Sequence, residues 1–257
     1  MDNKSKNIIL IVILSLVAIL IIAFMSYLLI FNRSLNFKTK ELLTYNKIYE
    51  LNEFNNIKID TYNFDIEIKE NDNNNVKLEV FSTKGKKTDS SINNNTLNIS
   101  NKEKLDLCIG FCFNPSEKIV LYLPKDINID INVDTNSGDL KIDEFENVNL
   151  ILESDSGDLY AKFLNSVNAN LDSGDIKIVK VNILNAETDS GDILVDEFNI
   201  SNNSSIKTDS GDVVIRSITD SFVDAKSDSG DIKIKNSNRY SKNELRIRTD
   251  SGDIVVK

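Results

Sequence analysis

Apolar residues are distributed along this chain in two contrasting ways. From Ile8 to Phe31 they form one run of 24 residues without a charge, IILIVILSLVAILIIAFMSYLLIF. From residue 49 onward they alternate with polar residues in short stretches, as in Ile57-Lys58-Ile59 and Val76-Lys77-Leu78-Glu79-Val80. A bilayer core takes ~20 apolar helical residues, so the first pattern predicts an uncleaved transmembrane helix over 8–31. A buried soluble helix is seldom apolar on every face over such a length. A cleaved signal peptide carries a shorter apolar core of ~7–15 residues and ends in a small-x-small site. Here Ala23-Phe24-Met25-Ser26 is a poor site, and no Cys follows the run closely enough for a lipoprotein anchor. The second pattern has period two, the mark of strands with one buried face. The chain thus reads as a short tail over 1–7, the helix, a juxtamembrane linker over 32–48 and a strand-rich domain over 49–257.

The strand-rich part repeats itself. Seven of the nine Gly sit in a Ser-Gly-Asp triplet, at Gly138, Gly157, Gly174, Gly191, Gly211, Gly230 and Gly252, spaced 19, 17, 17, 20, 19 and 22 residues apart. Asp precedes six of the triplets, and Asn136 precedes the first. Two residues after each Gly comes Leu140, Leu159, Ile176, Ile193, Val213, Ile232 or Ile254. Five before lies Val133, Leu152, Ala169, Ala186, Ile206, Ala225 or Ile247. Three before, Thr or Ser stands in all but the Leu171 copy, small enough for a tight inner corner.

An eighth copy lies upstream in Ile57-Lys-Ile59-Asp-Thr61-Tyr-Asn63-Phe64-Asp65-Ile66-Glu-Ile68, with Phe64 in place of the glycine. Further alternation at Val76–Val80, Leu97–Ile99 and Ile119–Leu123 reads as degenerate rungs with looser loops. A repeat of about 20 residues holding two short strands cannot bury its apolar face alone, so neighbours must stack. The predicted fold is therefore all-β: a β-solenoid of stacked rungs ~4.8 Å apart. A sandwich of hairpins is the competing fold, but sandwiches do not usually repeat one turn chemistry seven times.

Composition acts mainly by exclusion. Formal net charge is −10, with no His, no Trp and five Arg against twenty-five Lys. The acidic balance argues against nucleic acid, which calls for a basic footprint, and against broad adhesion to anionic lipid. The missing His removes the commonest general base and the usual zinc ligand together. Ile, Lys and Asn dominate, as in an A/T-rich genome, so the Asn runs at 73–75 and 93–95 carry little functional weight. Charge bears on orientation too. Lys4 and Lys6 precede the apolar run, and Arg33, Lys38, Lys40 and Lys47 follow it. Taken literally, the positive-inside rule puts the C-terminal domain in the cytoplasm. A short N-terminal tail with two Lys is also how many signal anchors begin, so the residues leave both orientations open.

The corners have two readings. In the structural one, each Gly takes φ > 0 without a Cβ penalty while Asp or Ser bonds the backbone of the turn. In the other, calcium sits between stacked carboxylates of Asp155, Asp158, Asp172, Asp175, Asp189, Asp192, Asp209 and Asp212. Like charges ~4.8 Å apart repel by roughly 0.9 kcal/mol in water, a strain that an ion or Lys would relieve. Calcium takes six to eight oxygens around one point, and a corner pair offers few, so the structural reading is preferred and no cofactor is expected. Cys108 and Cys112 lie in the least repetitive stretch, Leu105-Asp-Leu-Cys-Ile-Gly-Phe-Cys-Phe-Asn-Pro115. They read as buried apolar cysteines, or as a small disulfide loop if the domain is outside. Metal binding lacks further Cys or His, and a redox pair has two intervening residues rather than three. The same apolar loop is a candidate partner-binding patch.

At its corners the chain resembles a bacterial putative-adhesin family of uncharacterised, membrane-associated proteins with β-strand repeats. The resemblance rests on the T/S-x-SGD-I/V-x-I/V rungs and on the strand Ile119-Val-Leu-Tyr-Leu123-Pro124-Lys125 before the first triplet, and it covers about residues 49–257. It implies a β-solenoid in a cell-envelope setting, an extracellular C-terminal domain and no enzymatic activity. The basic flank after the apolar run and the Cys-bearing loop depart from it. Enzyme function is disfavoured on the residues as well, because an active site should interrupt the repeat and the Asp positions follow it. The expected role is a membrane-anchored surface binding or scaffold module. The first alternative is a polymerising scaffold facing the cytoplasm, and the lesser one a polysaccharide-acting β-helix enzyme. The last rung, Ile254-Val-Val256-Lys257, carries nothing to cover it in this sequence. It is therefore expected to form an open edge for self-association or a protein partner.

Overall fold

The structure is a computed structural model that describes residues 17, 19–24, 27, 42–82, 88–101 and 117–257. It has two compact units, Met1–Lys40 and Glu41–Lys257. In the first, Val17, Ile19–Phe24 and Tyr27 are helical with exposed side chains. Among the described residues no helix is long and apolar enough to cross a membrane, and most of the segment 8–31 lies outside them.

The second unit is built almost wholly of strands, because period-two alternation runs through nearly all of its sequence. Its first part holds β1 (Leu42–Glu50), β2 (Asn56–Thr61), β3 (Asp65–Asn71), β4 (Asn75–Ser82), β5 (Asp89–Asn93) and β6 (Thr96–Asn101). Then come β7 (Lys118–Pro124), β8 (Ile129–Ser137) and the long strands β9 (Leu140–Ser156), β10 (Leu159–Ser173) and β11 (Ile176–Ser190). The last part holds β12 (Ile193–Phe198), β13 (Ser204–Ser210), β14 (Val213–Ile215), β15 (Phe222–Ser229), β16 (Ile232–Ile234), β17 (Glu244–Ser251) and β18 (Ile254–Val256).

These strands stack into two walls that meet at the Ser-Gly-Asp corners. One wall runs β5, β6, β2, β8, then the second halves of β9, β10 and β11, then β13, β17 and β15. The other runs β1, β4, β7, β3, the first halves of β9, β10 and β11, then β12, β14, β18 and β16. From β3 and β7 onward neighbours pair in parallel, so equivalent residues form columns. Leu140, Leu159, Ile176, Ile193, Val213 and Ile254 make one such column, each at most 1% exposed. Phe145, Leu164, Val181 and Phe198 make another, in the bend where each long strand passes from one wall to the other. At the β1 end, the Tyr45 and Tyr49 hydroxyls both meet Ser90 Oγ and tie the walls together. Burial pushes the Tyr49 phenol up to about 12.

The eighth copy is stacked in the register its alignment suggests, with Thr61 beside Thr135 and Ile66 beside Leu140. Three expectations are corrected. The linker over 32–48 is too long, since β1 starts at Leu42. Its pattern escapes notice because most of its side chains stay exposed and only Tyr49 is buried. Val76–Val80 is not a rung: β4 runs antiparallel to both β1 and β7. The third concerns the C-terminal rung, residues 244–256, which is not an open edge. β17 lies between β13 and β15, and β18 between β14 and β16. The open rung is β15–β16, because the chain passes over one place in the stack and then returns to fill it. The other end mirrors this order, for β2 and β3 lie between β8–β9 and the later strands β6 and β7.

Candidate functional site

The corners hold most of the chemistry-bearing residues, and the stack decides what each can do. Gly138, Gly157, Gly174, Gly191, Gly211, Gly230 and Gly252 all take positive φ. Close approach constrains them further: at Gly191, with φ +155, an added Cβ would lie 2.1 Å from the Gly174 carbonyl oxygen. Glycine is therefore required by the neighbouring rung as much as by its own turn. At the Phe64 copy the chain carries a side chain because that corner lies at the start of the glycine column. The Phe64 carbonyl would sit 2.3 Å from a Cβ on Gly138, and its ring is fully buried.

The aspartate after each corner glycine, Asp231 of the outermost rung excepted, serves the next rung, as does Asp65 after Phe64. Asp65 Oδ1 accepts from the Asp139 N–H at 3.0 Å, Asp139 from Asp158 at 3.1 Å, Asp158 from Asp175 at 2.9 Å and Asp175 from Asp192 at 2.9 Å. Beyond these, Asp192 accepts from Asp212, Asp212 from Asp253 and Asp253 from Asp231, each at 2.8 Å. The Thr or Ser before four of the corners makes a second ladder inside them. The hydroxyls of Thr188, Thr208, Thr249 and Ser227 donate to the carbonyls of Gly174, Gly191, Gly211 and Gly252 at 3.4, 3.3, 3.4 and 2.9 Å. Ser154 Oγ is buried without a partner, and Leu171 has no hydroxyl to offer.

The eight acidic residues weighed for calcium thus fall into two sets. Asp158, Asp175, Asp192 and Asp212 belong to the ladder. Asp155, Asp172, Asp189 and Asp209 precede the corners and are exposed or half-buried, with the Asn136 amide donating to Asp155 at 2.6 Å. Among the described residues no three acidic or thiol groups come together closely enough to hold a metal ion. Cys108 and Cys112 lie outside the described residues.

Beside the ladder runs a groove of about 630 Å³, lined among others by Asp158, Tyr160, Asp175, Lys177, Leu194 and Arg216. It offers carboxylates, ammonium groups, an aromatic ring and apolar surface. Two further polar columns escaped the sequence reading. Asn149 donates to Asp130 at 2.8 Å, Asn165 to Asn149 at 2.9 Å and Asn182 to Asn165 at 3.3 Å. Their signal was present, since Asn165, Asn182 and Asn199 recur at one offset from Gly157, Gly174 and Gly191, but the chain's general excess of Asn hid it. The second column pins the last rungs together: Arg248 donates to the Asp224 carboxylate at 2.5 Å and to its carbonyl at 2.8 Å. The Arg248 hydrogen bond holds the Asp224 carboxyl below the usual carboxylate range.

Residues 54–257 match the family model described as Toastrack DUF4097. No curated protein matches the chain. Among solved structures, a "putative adhesin" from Bacteroides fragilis is similar with 19% identity, covering 83% of this chain and 96% of that one, at a TM-score of 0.53. A "putative cell adhesion protein" from Clostridium sporogenes matches with 13% identity, 83% and 97% coverage and a TM-score of 0.35. A "putative lipid binding protein" from Parabacteroides distasonis matches with 14% identity, 83% and 96% coverage and a TM-score of 0.38. The Bacteroides likeness shows a shared fold.

Proposed function

Since the chain belongs to the Toastrack DUF4097 family, we propose that it is a membrane-anchored, non-enzymatic module of the bacterial cell envelope that works by surface binding or as a scaffold. One observation carries this reading. The conspicuous aspartates, glycines and threonines of the repeat are engaged in rung-to-rung hydrogen bonds. The ladder aspartates and corner threonines are thereby committed to holding a rack, and what is left for function is the outer surface of that rack. The name of the Bacteroides relative agrees with such a role.

Anchoring rests on the 24-residue uncharged run and on the exposed apolar side chains of Ile19–Ile22 and Phe24 in the first unit. The strand domain is assigned to the outside by analogy with the family. The basic residues Arg33, Lys38, Lys40 and Lys47 favour the second reading, a scaffold facing the cytoplasm. Protease added to intact, wall-stripped cells separates the two. Trimming of the strand domain is expected, and complete protection would favour the cytoplasmic scaffold.

A further inference from the structure

The outer side of the rung β15–β16 is a half-made corner. Between Gly252 and Gly230 four hydrogen bonds cross from rung to rung. The Gly252 N–H donates to the Ser229 carbonyl at 3.0 Å, and the Ile254 N–H to the Asp231 carbonyl at 2.9 Å. Asp253 Oδ1 accepts from the Asp231 N–H at 2.8 Å, and the Gly252 carbonyl from the Ser227 hydroxyl at 2.9 Å. Gly230, Asp231 and Ile232 present the same four positions on their far side, and among the described residues no strand pairs there. The core is open at the same place. Ile232 and Ile234 are 41% and 37% exposed, while the equivalent Ile254 and Val256 are fully buried. Ser237 Oγ covers the Val223 N–H at the start of β15, at 3.0 Å, and leaves β16 bare.

We propose that this edge accepts one more Ser-Gly-Asp rung, and that a second copy of the chain supplies it from residues 244–257. The pattern of free groups selects the occupant. A rung fits when it brings a Thr or Ser hydroxyl, a Ser carbonyl, an Asp N–H and an Asp carbonyl in the order that the repeat carries them. It must also carry glycine at the corner, since a Cβ on Gly252 would meet the Gly211 carbonyl oxygen at 2.0 Å and the geometry at Gly230 is the same. A second open edge carries the same N–H, carboxylate and carbonyl groups, so it could pair only antiparallel and would not bring the hydroxyl, the Asp N–H and the two carbonyls that complete a parallel corner. The incoming rung must therefore leave its own stack. Residues 244–257 follow a connection, 235–243, whose first six residues are all exposed. When they leave, the rung 222–234 carries the triplet needed to close onto β13 and β14. The result is association by strand addition in which the parallel ladder continues from one molecule into the next. This inference concerns self-association and stands whether or not the surface role does.

The test uses the full chain in mild detergent and a fluorescent peptide of residues 244–257, read by anisotropy. The peptide is expected to bind, and the same peptide carrying Gly252→Ala to bind at least tenfold more weakly. A chain with Ile232→Asp and Ile234→Asp, two partly exposed positions at the open end of the core, should keep the parent's strand spectrum and melt cooperatively at a somewhat lower temperature, yet lose the peptide. Sedimentation of the parent should show concentration-dependent dimers or longer species that this variant lacks. Absence of binding, equal binding of the two peptides, binding that survives in the edge variant, or a parent that stays monomeric would each overturn the proposal.

Discussion

At the scale of single residues, the corner glycines carry two demands at once, and Gly191 shows which is the stronger. Its φ of +155 disfavours other residues, but the Gly174 carbonyl oxygen, 2.1 Å from a built Cβ, excludes them unless two rungs move apart. Separating rungs there strains the Asp192–Asp175 and Asp212–Asp192 hydrogen bonds on either side. Gly191→Ala is therefore expected to cost more than ~1 kcal/mol, above the ordinary Gly-to-Ala effect at a positive-φ site, and to lower Tm by at least about 3 °C for a domain of this size. Thermal melts followed by circular dichroism measure it. An unchanged Tm would mean the rungs tolerate a methyl group and are not in contact at the corner.

At the scale of elements, the last rungs are held by side chains as well as by their ladder. Asp224 in β15 faces Arg248 and Arg246 in β17, and Glu244 joins Arg246 at 3.1 Å. The Arg248 hydrogen bond depresses the folded-state pKa of Asp224. A carboxylate with a depressed folded pKa adds stability above its unfolded pKa and loses it as pH falls through the folded value. The contribution is thus full near neutrality and fades as pH drops below the ordinary Asp range of about 4. The pair is partly exposed, so its worth is held to about 1 kcal/mol or less. Asp224→Asn should melt below the parent at pH 7, with the gap closing toward pH 3. A gap that stays constant across that range would assign the effect to packing and not to charge.

At the scale of the whole molecule, each middle rung is buried between two others, while the end rungs are covered on one side. Local opening free energies follow such coverage. Hydrogen exchange read by mass spectrometry is expected to show the slowest amides in β9, β10 and β11 and the fastest strand amides in β15 and β16. β17 and β18 should exchange more slowly than β15 and β16 although they follow them in sequence, because they lie deeper in the stack. The reverse order would place the rung of Gly252 on the outside and contradict the intercalated arrangement.

The sequence alone determined the strand class, the rung register and the corner residues, down to the Phe64 copy. These follow from short-range rules: period-two burial, glycine at positive φ and a small hydroxyl residue inside the bend. It also presented the aspartates without saying whether they bind an ion or the neighbouring backbone, since both roles call for the same residue at the same spacing. Tertiary structure decided that the ladder aspartates accept the next rung's N–H. It also decided the order of the rungs. A repeat of Thr-x-Ser-Gly-Asp-Ile-x-Ile specifies how any rung meets any other, so it cannot state which rung is whose neighbour. The rung of Gly252 and the rung of Gly230 carry nearly the same code, and either could follow Gly211 on local grounds. Their order is settled by interactions between residues far apart in the chain. Among these are Asp224 with Arg248 and the amide of Asn243 with the Ile200 carbonyl at 3.0 Å, pairings that no period in the sequence reveals.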